Sequence, residues 1–136
     1  MSTIPKKYSN KLSRKDKKKQ IRNLKRSRRA YTRGIYINRP KLKSYKSKKS
    51  NWVTKFEKKY GKNVKTYTEI EEKTGIPKKA LMEVVKKGKG AYYSSGSRPN
   101  QTASSWGKAR MYSFIMGGPT RKVDNHIIKK YNIKFK

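Results

Sequence analysis

The residues of this chain that could do chemistry are its lysines and arginines, and the chemistry they support is neutralisation of phosphate. Forty of the 136 residues are Lys or Arg and only 7 are Asp or Glu, for a formal net charge of +33. A chain so charged repels itself until a polyanion neutralises it. Nucleic acid suits that role, because each phosphate paired with a cation releases condensed counterions. The densest basic run lies between Ser13 and Arg29. Its Arg14, Lys17, Lys18, Lys19, Arg22, Arg26, Arg28 and Arg29 are candidate polyanion contacts. Lys78 and Lys79 at the start of a predicted helix, with Lys89 and Arg98 in a stretch rich in Gly, Ser and Tyr, complete the set. The charge is spread rather than focused on a few base-reading side chains. The expected binding is therefore to the phosphate backbone, without sequence preference.

Other chemistries find little to work with. His126 is the only histidine, and nothing near it in sequence supplies a second metal ligand. The acids Glu57, Glu69, Glu71, Glu72, Glu83 and Asp124 lack the clustering that metal-dependent hydrolysis needs, and are better read as caps and helix-surface ion pairs. Cysteine is absent, so there is no disulfide and no thiolate site. A non-enzymatic protein is expected, with no catalytic residues, metal, cofactor or small-molecule substrate. No apolar run approaches the roughly 20 residues of a membrane span, and Met1 to Lys19 has no apolar signal-peptide core.

The elements that must position the cations divide the chain in two. Residues 1–50 hold 20 Lys and Arg and one acid, Asp16; residues 51–136 hold 20 and six. The first part reads as a basic N-terminal arm, extended and solvated when free. Ile21 and Leu24 sit three apart and could share a helical face, but like charges crowd every turn. Tyr31, Tyr36 and Tyr45 punctuate the arm singly, as side chains that could fill pockets on another protein. The second part reads as a small helical domain, 51–136. Helices are predicted over 51–60, over a segment ending at Thr74 and capped by Thr66 or Thr68 with a Glu three residues on, and over 77–87. Two more follow from Ser104 or Ser105 to about Met116 and from Thr120 to about Tyr131, the last with Val123, Ile127 and Ile128 inward. Gly88 to Ala103 reads as a loop. The fold class is all-α: a small bundle of about five helices behind a long, extended basic arm. Leu81, Trp106 and Phe114 are the candidate core residues, and Arg110, between Trp106 and Phe114, is read as structural.

Two motifs invite sharper readings. Tyr67–Val85 has helix-turn-helix spacing, with Gly75 at the turn and Ile70, Ile76, Leu81 and Val84 at buried positions. Glu71 stands where such a motif carries a small residue, which favours an ordinary helical corner. In the stretch 86–98, glycines could admit phosphates to the backbone, and Tyr92 and Tyr93 could stack on bases. The spacing is not that of a nucleotide-binding loop.

The segments Gly75-Ile-Pro-Lys-Lys-Ala-Leu, Gly88-Lys-Gly-Ala-Tyr-Tyr-Ser-Ser-Gly-Ser-Arg-Pro, Trp106-Gly-Lys-Ala-Arg-Met-Tyr-Ser-Phe-Ile-Met-Gly-Gly and Lys122-Val-Asp124 resemble a small uncharacterised domain. That domain occurs in proteins of giant DNA viruses of algae and protists and of tailed marine phages. The resemblance covers about 70–128, and its mark is Trp-x-x-Ala-Arg-x-x-Ser-Phe. It names no activity but implies a viral, virion-associated protein. The expectation is a minor capsid protein on the inner capsid face of a large DNA virus, contacting capsid proteins, genome or both through its arm. It would reside in the capsid interior, and in host cytoplasm or nucleus during assembly. The alternatives are a nonspecific DNA-condensing nucleoprotein and a ribosomal protein.

Overall fold

A computed structural model describes residues 4–46 and 50–135. Among them are seven α-helices, one 3-10 turn at Lys6–Tyr8 and no strand, so the chain is all-α. The helices are α1 (Arg14–Thr32), α2 (Asn51–Tyr60), α3 (Tyr67–Thr74), α4 (Lys78–Ser94), α5 (Ala103–Ile115), α6 (Thr120–Val123) and α7 (Asn125–Lys130). Two compact units emerge: unit 1 comprises 1–48 and 89–106, unit 2 comprises 49–88 and 107–136. Residues 89–106 thus group with the basic N-terminal segment rather than with the rest of 51–136. Residues 47–49 lie outside the described residues.

Unit 1 corrects the expectation of an extended arm: its longest element is the 19-residue α1. The Ser13 hydroxyl accepts from the Asp16 amide and starts the helix. Its end is a Schellman motif. The Ile35 amide donates to the Ala30 carbonyl, the Gly34 amide donates to that of Tyr31, and Gly34 takes a φ of +77°. Between these caps, Gln20, Leu24 and Ser27 are buried at spacings of four and three, which is one helical face. Leu24 is fully buried, worth about 1.5–3 kcal/mol on the usual scale for a leucine. It lies so close to Gly96 that a Cβ there would come within 2.7 Å of it. The helix forms despite the like-charge pairs along its exposed side, held by its two caps and by the buried face of Gln20, Leu24 and Ser27. Tyr8 and Leu42 are buried in the same unit.

Helix α4 runs seven residues beyond its expected end at Lys87, so the loop expected from Gly88 begins only after Ser94. The glycines that suggested a loop serve packing instead. A Cβ on Gly88 would sit 2.6 Å from the Gly107 Cα and 3.4 Å from the Arg110 Cβ, so the α4 and α5 backbones meet there.

Unit 2 holds the larger apolar core, built from α2, α3, α4, α5 and α7. Phe56, Ile70, Ile76, Leu81, Val84, Phe114 and Ile127 are buried at its centre. Trp106 is not part of this cluster. It is partly buried in unit 1, edge-on to Tyr8 at 6.0 Å, because Met111, Phe114 and Ile115 are the α5 residues that face the core. Helix α3 has a full capping box between Thr66 and Glu69. The helix expected from Thr120 to Tyr131 is broken into α6 and α7 at Asp124, whose fully buried carboxylate takes two hydrogen bonds from Arg110, at 2.8 and 2.7 Å. Val123 consequently turns outward and is 64% exposed. Arg121 lies along Phe135 and donates to the carbonyls of Phe114 and Ile115, closing the C-terminus of α5.

The two α4 glycines separate helix propensity from packing. Gly88→Ala should destabilise the protein by about 1–3 kcal/mol, because the α5 backbone cannot yield to the methyl group. Gly90 has nothing within 4 Å of an added Cβ. Gly90→Ala should be neutral or stabilising by up to about 1 kcal/mol. Denaturant unfolding of both variants checks this, and equal losses would mean that the backbone contact at Gly88 is unimportant.

Candidate nucleic-acid interface

The basic face of α1 is the most charged surface of unit 1. Arg14, Lys15, Lys17, Lys18, Lys19, Arg22, Lys25, Arg26 and Arg29 are all exposed. Lys18, Arg22, Lys25, Arg26 and Arg29 recur at spacings of three and four, so they form a stripe opposite Leu24. From Lys18 to Arg29 the stripe spans about 16.5 Å at helical rise, long enough to meet successive phosphates of one strand. The sole acid of unit 1, Asp16, does not compete with it. Its carboxylate accepts from the Ser44 amide and hydroxyl at 3.0 and 2.7 Å. Those two hydrogen bonds hold its pKa below the ordinary carboxylate value.

The remaining candidates are dispersed. Arg28 is partly buried and donates to the Ser95 carbonyl at 2.8 Å, tying α1 to the 95–100 turn. Lys89 and Arg98 are exposed in unit 1. Lys78 and Lys79 are exposed in unit 2, at the start of α4. There the Glu71 carboxylate accepts from the Lys78 amide at 2.6 Å. A carboxylate already occupies the helix end that a helix-turn-helix protein would turn to DNA, so this segment is a capped helical corner.

The tyrosines meet one another. Tyr36 lies 5.8 Å from Tyr31 and 5.0 Å from Tyr93 between ring centres, and Tyr93 meets Tyr92 edge-on at 5.0 Å. Tyr45 is partly buried, and its carbonyl accepts from the Asn100 side chain at 3.4 Å.

Sequence reasoning missed the residue that organises this unit. Arg39 is only 9% exposed. Its guanidinium donates to the Ser27 hydroxyl at 2.9 Å, the Tyr92 carbonyl at 2.9 Å and the Ser97 hydroxyl at 2.8 Å. It also lies over the Tyr92 ring at 3.8 Å, while the Arg39 amide donates to the Tyr92 hydroxyl. It thereby joins α1, the 35–45 strap and the end of α4. Burial pushes its pKa down, the neighbouring tyrosines opposing. Nothing in the sequence distinguishes Arg39 from the other arginines except its place in an aromatic-rich stretch.

Among the described residues no group of three or more His, Cys, Asp or Glu could hold a metal ion, and His126 is exposed. Among the described residues no helix is long and apolar enough to cross a membrane.

Residues 5–130 match a family of unknown function, DUF5824. The chain belongs to the DUF5824 family. The family region takes in α1 and the Arg39 strap as well as the α5 signature, and so extends beyond the 70–128 stretch that carried the resemblance. No curated protein and no solved structure matches the chain.

Arg39 ties the family region's N-terminal part to its middle, and lysine cannot replace it. An ammonium cannot reach three diverging acceptors from one point. Arg39→Lys should destabilise the protein by about 1–3 kcal/mol and raise amide exchange in α1 above that in the unit 2 core. Uniform exchange, or an unchanged melting curve, would show that α1 is held without Arg39, by Leu24 and the Gln20 and Arg28 hydrogen bonds.

Proposed function

We propose that the protein is a non-enzymatic structural component of a virus particle, a minor capsid protein on the inner capsid face whose α1 stripe meets genome phosphates. The observation that supports it is the charge arrangement of unit 1. A row of exposed Lys and Arg stands on a capped helix, with its one carboxylate engaged by Ser44. Such a row binds backbone regardless of sequence. The placement in a virion, and the capsid proteins as partners, rest on the resemblance to virus and phage domains.

The DNA-condensing nucleoprotein is the second reading, and one observation favours it. Leu24 and Leu42, which a capsid-docking arm would present to its neighbours, are buried within unit 1. Both readings share the phosphate chemistry.

The test is equilibrium binding to a random-sequence duplex across roughly 50–200 mM salt. Affinity should fall steeply with salt. Arg22→Gln, Arg26→Gln and Arg29→Gln together should flatten the log–log slope by about 2.7, at about 0.9 per lost phosphate contact. An unchanged slope would move the interface away from α1. A preference above about a hundredfold for a selected sequence would overturn backbone binding and restore the helical corner as a reader.

A further inference from the structure

Beside the α1 stripe stands an exposed apolar pair that phosphate binding does not use. Tyr36 is 66% exposed and Ile35 53%, in a unit whose other described large apolar side chains are buried or partly buried. Their position is built, not accidental. The Schellman motif at Gly34 reverses the chain directly after α1. The Tyr36 ring then packs against Tyr31 and Tyr93, tilted by 42° and 37°. Tyr93 is itself fixed by its hydroxyl, which donates to the Asn38 side chain at 3.2 Å, and by Tyr92. A ring held on its neighbours yet two-thirds open presents a rigid aromatic surface to solvent. The exposed Arg29 and Arg33 precede it by seven and three residues, and Asp16 lies at the far end of α1, about 25 Å away at helical rise.

We propose that Tyr36 is a stacking platform for an unpaired base of single-stranded nucleic acid, its flanking phosphates held by Arg29 and Arg33. The proposal rests on the nucleic-acid reading of α1 and adds a substrate class to it. Duplex DNA hides its base faces, so the α1 stripe treats it as a charged rod. A single strand offers bases as well as phosphates, and an aromatic beside cations uses both. A protein partner is the less fitting occupant, because the apolar area is small and the charge around it matches phosphate.

The test uses the full-length protein and three fluorescent probes: a 15-residue oligothymidine, an abasic strand of equal length and a random duplex. Tyr36→Ala should weaken oligothymidine binding about 5- to 100-fold and leave the abasic strand and the duplex within about twofold. Tyr36→Phe should behave as the parent. The unaltered duplex and abasic binding also reports that Tyr36→Ala remains folded. Equal losses on all three probes, or no loss on oligothymidine, would overturn the platform while leaving phosphate binding by α1 in place. Failure of the parent protein to bind any of the three would overturn the nucleic-acid reading itself.

Discussion

A guanidinium buried without a carboxylate is the constraint on which unit 1 depends. Taking a cation out of water costs several kcal/mol unless its hydrogen-bonding capacity is met. Arg39 meets it with two hydroxyls, a carbonyl and the face of Tyr92. The acceptors come from α1, the end of α4 and the turn after it, so they must be in place together. That explains why Gln20, Ser27 and Ser97 are buried where leucines would ordinarily stand. Gln20 donates to the Ser97 carbonyl, and Asn100 holds the Leu42 backbone at both its amide and its carbonyl. Unit 1 is thus secured by polar contacts around a small apolar centre of Tyr8, Leu24, Leu42 and Tyr92.

Neutral acceptors leave the sign of the surface undisturbed. Six of the seven acids fall in unit 2, where most are engaged within the fold. Glu69 caps α3, Glu71 caps α4 and Asp124 holds Arg110. Glu83 accepts from Lys130 at 2.7 Å and Tyr131 at 2.6 Å, and these bonds keep its carboxyl below its ordinary pKa. The carboxylates of unit 2 serve as internal fastenings. The cations of α1 have few internal partners and face outward.

Much of unit 2 was legible in the sequence, because its signals are local. Thr66 with Glu69, and Gly75, mark helix ends by side-chain and backbone chemistry that acts within a few residues. The misreadings all involve distant partners. Gly88 and Gly90 read as a breaker pair, and only the Gly107 backbone shows why a helix keeps a glycine at position 88. Asp124 looked like a helix-surface acid until Arg110, fourteen residues earlier, drew it inward. Helix α1 did carry a signal in Gln20, Leu24, Ser27 and Tyr31, one helical stripe. Two of its members are polar, and their burial has meaning only once Arg39 and Ser97 are there to bond them. Among the candidate contacts, Lys18, Arg22, Arg26 and Arg29 share one face of α1, while Arg28 turns to Ser95 and Lys78, Lys79, Lys89 and Arg98 lie elsewhere.

The composition of unit 1 also bears on how a bound polyanion could be released. It contains no histidine, and its one carboxylate titrates below the usual range. No side chain of a type that changes charge between about pH 5 and 8 is present. On the proposed reading, acidification or neutralisation of a compartment would leave phosphate binding by α1 unchanged. Release must come from a competing polyanion, from high ionic strength or from covalent capping of the lysines. A polyanion bound in the proposed way would stay bound across a proton gradient.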